Sequence, residues 1–279
     1  MPYIKQAVGS VRGQKNAEVQ HIVQDGGSSD GTKEWLLEQG DLDVRSEADN
    51  GMYDAINKGW ARAEGDVFSW LNVDEQYLPG TLNRVSEIFR VCPEVDVLFG
   101  DCIMVTPEGR PLAARREIPL RKIYLENGFL YALSCTTFFR RTLWDEGLLQ
   151  MDDHFKNAGD YDLMLRLLCA GKKIQHVMEF LSLFGVVGDN LTLALGGNMD
   201  REVSEIQNKY GALPSAWMRK TVLFGRYIER FIRGLYRRET ICYDFACDEV
   251  PHYERIKAED VSGRFTFERA RRMMSDKDE

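Results

Sequence analysis

The chain has 279 residues, 44% of them hydrophobic and 29% charged, and a net charge of −8. That length can bury a large core as one big domain or two small ones, and the acid excess argues against a general nucleic-acid binder, which would carry a basic footprint. Six cysteines without a CxxC pair and four histidines without zinc-motif spacing argue against a disulfide framework or a zinc site, and fit reduced cytosolic thiols.

The first residues, MPYIKQAVGS, hold no apolar signal region. Tyr3, Ile4, Ala7, Val8 and Val11 recur at helical spacing, so an amphipathic helix opens the chain. Val19 to Val23 makes a short strand ending in QDGGSSDGT, a turn of Gly, Ser and Asp. A helix over Thr32 to Glu38 is capped by Ser29 or Asp30 and stopped near Gly40. Val44 starts another strand, Asp54 to Ala63 a helix, and Asp66 to Leu71 a strand rich in buried-type residues. A helix entered through Pro79 runs from Leu78 to Val91, and a strand covers Val95 to Gly100. A hairpin turns at Pro107-Glu108-Gly109. Strands alternating with helices predict an α/β fold with a mainly parallel central sheet flanked by helices.

Further on, Asp160 to Ala170 is a helix stopped by Gly171, and Lys173 to Phe184 reads as strand plus turn. Beyond Gly197 strand signals fade; Met199 to Tyr210, Ala216 to Arg238 and the region near Phe265 to Met274 read as helical. The expected division is a catalytic domain at 1–198 and a C-terminal helical extension at 199–279. The mostly apolar stretches Asn127 to Phe139 and Phe180 to Gly188 are too short to span a bilayer as helices. The expected location is cytoplasmic, free or peripheral at the inner face of the membrane.

Four segments stand in order: VQDGGSSDGT (Val23–Thr32), SEADNGMYDAINKGWARAEGD (Ser46–Asp66), SWLNVDEQYLPGTL (Ser69–Leu82) and the Thr136–Leu167 segment ending GDYDLMLRL. On the residues alone, Asp25 at a strand end can accept from a base N–H or ribose hydroxyls, or can merely shape its turn. The acidic turn Asn72-Val73-Asp74-Glu75 suits a hard divalent cation held against a diphosphate, or is a plain surface turn. Asp160 is placed to act as a base or to cap its helix.

The series, from about residue 2 to 195, resembles the family 2 glycosyltransferases, inverting enzymes of the GT-A fold, in a bacterial polysaccharide-building branch. The resemblance implies transfer of a sugar from a nucleotide diphosphate sugar, a UDP-sugar by default, to a glycan or lipid-linked acceptor hydroxyl. It implies nucleoside binding by Asp25, a divalent metal (Mn²⁺ or Mg²⁺) at Asp74 beside Asn72, and Asp160 as general base. Glu75 can join the metal or lie outward. Asp54 and Lys58 are placed near the donor, where Lys58 can meet phosphate or solvent, and Trp35, Trp60, Trp70 and Trp144 read as packing residues.

Two departures stand against that resemblance. Relatives open with a buried strand, whereas here Met1 precedes the first helix directly; loss of a central strand exposes two neighbours. The stretch LFGVVGDNLT (Leu183–Thr192) carries no basic residue that could join the metal site. The alternative reading is therefore a non-catalytic nucleotide- or glycan-binding relative inactivated by that loss. A last feature is the span Arg219 to Arg238, with seven basic residues against Glu229 and an apolar stripe at helical spacing. It can lie on an anionic membrane or pack its stripe on the catalytic domain.

Overall fold

A computed structural model describes residues 2–187, 196–266 and 270. Helix α1 (Pro2–Arg12) leads to strand β1 (Ile22–Asp25), α2 (Thr32–Leu37), β2 (Asp43–Ser46), α3 (Met52–Trp60), β3 (Val67–Phe68), β4 (Glu75–Tyr77) and α4 (Thr81–Val91). The chain continues through β5 (Val97–Val105), β6 (Pro111–Arg115), α5 (Lys122–Glu126), β7 (Thr137–Arg140), α6 (Thr142–Asp145), α7 (Gly159–Cys169) and β8 (Ile174–Gly185). Helices α8 (Gly196–Lys209) and α9 (Ala216–Ile232) precede the hairpin β9 (Arg238–Ala246) and β10 (Tyr253–Ser262).

The α/β class and the helix-flanked central sheet are as expected. The main sheet runs β3-β7-β5-β8-β4, with β6 also on β5. Its pairing is mixed: β5 and β8 are parallel, and every other pair in it is antiparallel. Connection length accounts for one of these antiparallel pairs. The β5–β6 hairpin turns at 107–109 as expected, and a turn that short permits only antiparallel neighbours. Strand β5 is buried at all nine positions, because both faces are covered.

Strands β1 and β2 form a separate parallel pair. Among the described residues β1 pairs only with β2, and β3 only with β7. A cleft of about 1600 Å³ opens between them. Its walls include Ile4, Val8, Val23, Ile56, Phe68 and Trp70. Strand β3 has two residues, where Asp66 to Leu71 was expected. Helix α1 is held against β4 and its following turn: Ser10 Oγ accepts from Tyr77 N (3.2 Å), and Gln14 bridges Leu78 O and Leu82 N.

The C-terminal extension is not wholly helical. Ile241, Tyr243 and Phe245 alternate inward along β9 and pack with Val261 against Ile103, Val105 and Leu183. This period-two pattern is present in the sequence, although flanking charges and the preceding helix obscure it. Gln76 fastens the hairpin to β4 by exchanging hydrogen bonds with Ala246 N and O. Helix α8 buries Ile206 in the core that holds Leu163 and Phe155. Most of the expected helix at Phe265 to Met274, and the end of the Leu183–Thr192 stretch, lie outside the described residues.

Candidate functional site

The acidic turn after β3 is built by Glu75. Its carboxylate accepts from Asn72 N (2.8 Å) and Ser134 Oγ (3.0 Å), while Glu75 N donates to Asn72 O. The side chain is fully buried. Burial, and then the neighbouring Asp74 charge, push its pKa to about 8. Glu75 therefore neither ligates at the cleft nor lies outward; it is an internal clamp on the turn. Asp74 stands half-buried on the cleft wall with Asn72 and Val73. Its carbonyl accepts from Gly185 N (2.9 Å), and a Cβ at Gly185 would sit 2.4 Å from that carbonyl oxygen. The end of β8 and the Asp74 turn meet this closely because position 185 has no side chain.

Asp160 lies in the first turn of α7 and lines the same cleft. Ala158 is the cap residue of that helix, so Asp160 is not its cap. Its Oδ1 accepts from Tyr161 N (2.8 Å) and from the Tyr53 hydroxyl (3.2 Å). Burial raises its pKa to about 6, outweighing those bonds and the helix terminus expected to hold it down. The ring of Tyr53 lies on Gly159, where a Cβ would come within 2.8 Å of it. Burial also raises the Tyr53 hydroxyl well above its ordinary value, the Asp160 charge adding to this, so that it stays a donor. The preceding loop is capped from α8: Glu202 accepts from Lys156 N, Asn157 N and Ala158 N at 3.0, 2.9 and 3.0 Å. Neither Tyr53 nor Glu202 carries a sequence signal for this role, because each meets Asp160's loop from a distant helix.

Asp25 ends β1 with both oxygens engaged. Gly27 N, Ser28 N, Ser28 Oγ and Ser46 Oγ all donate to it. Burial alone would raise its pKa, but these bonds, from Ser28 and Ser46 foremost, hold it below the ordinary carboxylate value. The cleft wall includes Gln24, while the Asp25 carboxylate is turned into its own loop. Asp30 accepts from Thr32 N at 3.2 Å, but the cap position of α2 is Gly31, without a side-chain cap, and not Ser29 or Asp30 as expected.

Asp54 accepts from Asn50 N (2.9 Å) and pairs with Lys58 (3.1 Å), whose Nζ also reaches Ala48 O. The backbone bond from Asn50, and then Lys58, lower the Asp54 pKa. Both residues shape the 48–51 loop, which Lys156 ties to the Asp160 side by donating to Asn50 O (2.7 Å). Of the tryptophans, Trp60 is buried and Trp70 stacks on Phe139 with centroids 5.9 Å apart, as expected of packing residues.

The structure thus brings Asn72, Asp74 and Asp160 to one cleft and sets Asp25 at the end of β1 and Asp54 and Lys58 on α3, beside it. Among the described residues no three His, Cys, Asp or Glu side chains form a metal-ligand cluster. The donor set that fits a hard cation is the Asp74 carboxylate with oxygens of a bound diphosphate, the sparse protein ligation typical of Mg²⁺ at nucleotide sites.

A mixed sheet flanked by helices, with acids at a cleft between strand ends, is the architecture of the GT-A glycosyltransferases. A family model described as Glycosyl transferase family 2 matches residues 1–147, and the chain belongs to that family. It is 30% identical over 101 residues to an uncharacterized glycosyltransferase of Nostoc sp., covering 34% of this chain and 31% of that protein. Similarity to an O-antigen biosynthesis protein of Myxococcus xanthus is 30% over 142 residues, 50% of this chain and 10% of that one. An uncharacterized glycosyltransferase of Rickettsia typhi is 26% identical over 180 residues, 60% of this chain and 54% of that one. The matched region spans from about a tenth to about half of these relatives' length.

Among solved structures, S. aureus TarS 1-349 in complex with UDP-GlcNAc superposes with a TM-score of 0.60 at 16% identity, covering 81% of this chain and 68% of that one. The mannosyltransferase PcManGT of Pyrobaculum calidifontis, in complex with GDP-Man and Mn²⁺, gives 0.52 at 13%, covering 83% and 72%. At these identities the likeness is one of fold.

Proposed function

We propose that this chain transfers a sugar, with inversion, from a nucleotide diphosphate sugar to a hydroxyl of a glycan or lipid-linked acceptor. The observation that carries the reading is the placement of Asp74 and Asp160 on one cleft, the latter with a pKa near 6. A base with that pKa is largely ionised at neutral pH yet stronger than an exposed carboxylate. The acceptor oxygen attacks the anomeric carbon as the bond to the diphosphate oxygen breaks. Asp160 takes the hydroxyl proton, and the nucleoside diphosphate leaves on the opposite face. A Mn²⁺ or Mg²⁺ bound at Asp74 would offset charge on the leaving diphosphate. Tyr53 and Glu202 fix the carboxylate by way of its hydroxyl bond and the loop cap.

The donor class is supported by the fold's likeness to proteins bound to UDP-GlcNAc and GDP-Man. Asp25, Asp54 and Lys58 hold the loops that border the nucleoside end. No helix among the described residues is long and apolar enough to cross a membrane; we place the enzyme in the cytoplasm, free or in peripheral contact with the membrane's inner face. The test is titration of the chain with UDP-, GDP- and TDP-sugars, with and without Mn²⁺, followed by a transfer assay on lipid-linked and free glycans. Binding that needs Mn²⁺ and is lost in Asp74→Ala supports the assignment; donor binding unchanged in that variant refutes the metal role.

One observation favours a second reading. The open space between β1 and β3 undermines the wall that positions the donor. On that reading the chain binds nucleotide or glycan without transfer, and saturable donor binding with no turnover on any acceptor distinguishes it.

A further inference from the structure

The helix α9 is mounted with its polar face inward. Arg226 and Arg230 both reach Glu117, Arg226 at 3.4 Å, and the Arg226 guanidinium lies 4.2 Å from the Tyr131 ring centroid. Arg230 is the buried residue of the helix. Spacing on the helix puts Trp217, Phe224, Ile228, Phe231 and Ile232 on the opposite side. Their exposures are 74, 62, 41, 64 and 77%. A globular helix ordinarily buries this stripe; this one buries arginines and leaves the stripe outside. Exposed cations flank the stripe at Lys220, beside Phe224, and at Arg237, past Ile232, while Arg233 pairs with Glu229 and Arg238 with Asp260. The span 219–238 carries seven basic residues against one acidic in a chain whose net charge is −8.

We infer that this face of α9 docks on an anionic lipid surface, with Trp217, Phe224, Phe231 and Ile232 in the acyl boundary and the flanking Lys220 and Arg237 on lipid phosphates. The sign of the flanking charge selects the occupant: an exposed apolar stripe edged by cations matches anionic headgroups above an apolar layer.

Vesicle co-sedimentation of the full chain tests the inference, and it requires neither donor nor acceptor, so it stands or falls apart from the transfer reaction. The chain should sediment with phosphatidylcholine vesicles containing phosphatidylglycerol at low salt, release as salt rises, and bind pure phosphatidylcholine weakly. The double variant Phe224→Ser/Phe231→Ser should lose binding by about tenfold or more, the scale of two aromatic side chains withdrawn from an apolar phase, with an unchanged melting temperature. Lys220→Glu/Arg237→Glu should abolish the preference for the anionic vesicles. Failure to bind at low salt, equal binding to both vesicle types, or a marked loss of thermal stability in the serine variant would each overturn it. So would a dimer in light scattering that the serine variant dissociates, which would make a second copy the occupant of this face.

Discussion

Asp25 ends β1 in a loop beside the cleft and Asp160 lines the cleft, and the surroundings of these two carboxylates differ in kind. Asp25 receives hydrogen bonds from two backbone amides and two serine hydroxyls, and its pKa falls. Asp160 receives two, from Tyr161 N and Tyr53, and burial carries its pKa up to about 6. A saturated carboxylate is a weak base that holds a loop; a starved one keeps affinity for a proton and is suited to taking one. The same residue type is thus saturated with donors in the loop after β1 and short of them in the cleft, where we propose that it takes a proton.

Four substitutions would break or sharpen that contrast. Asp160→Asn should leave donor binding unchanged and cut transfer by about 100-fold or more, or about 3 kcal/mol of barrier. Near-normal transfer by this variant would end the base assignment.

Glu75 supplies a second raised carboxylate without access to a substrate. Its pKa near 8 against an ordinary 4.5 means that the folded state holds a proton which the unfolded chain releases. The stability this confers is full below about 4.5 and declines as pH rises to about 8, on the order of a few kcal/mol. Glu75→Gln should flatten that decline, so melting curves of both proteins near pH 5 and near pH 8 should differ most at the alkaline value. Parallel pH dependences would show that Glu75 is ionised in the fold.

Asp25→Ala should cost about 1–3 kcal/mol of stability by orphaning the loop donors. The loss is full at neutral pH and shrinks as pH falls below the ordinary carboxylate value of 3.8, where the native side chain protonates. Denaturant midpoints check it; a change in donor affinity at unchanged stability would instead make Asp25 a ligand. The smallest effect is expected from Tyr53→Phe, which removes one donor that favours the ionised form of Asp160. The acid limb of the transfer rate should move above about 6, with a few-fold loss at neutral pH. An unmoved limb would mean that Tyr53 only packs on Gly159.

Much of this was legible in the chain itself. The periodicity of Tyr3 to Val11, the Pro107-Glu108-Gly109 turn and the Leu-rich run after Asp160 place α1, the β5–β6 hairpin and α7 within a few residues, because each is set by local contacts. Motif order gave the family, now shown by the match over 1–147. Tertiary structure decided what depends on residues far apart in sequence. The parallel pairing of β5 with β8, the inward turn of Glu75 onto Ser134 and the cap that Glu202 places on the Asp160 loop join segments 45 to 80 residues apart. The hairpin β9–β10 was hidden because three alternating residues are a weak signal until a facing wall of Ile103, Val105 and Leu183 exists to bury them. The seating of α9 shows the limit most plainly. Its amphipathic pattern is a property of the sequence, but which face turns inward was fixed by the buried carboxylate of Glu117, for which an arginine is the stronger partner than any apolar side chain.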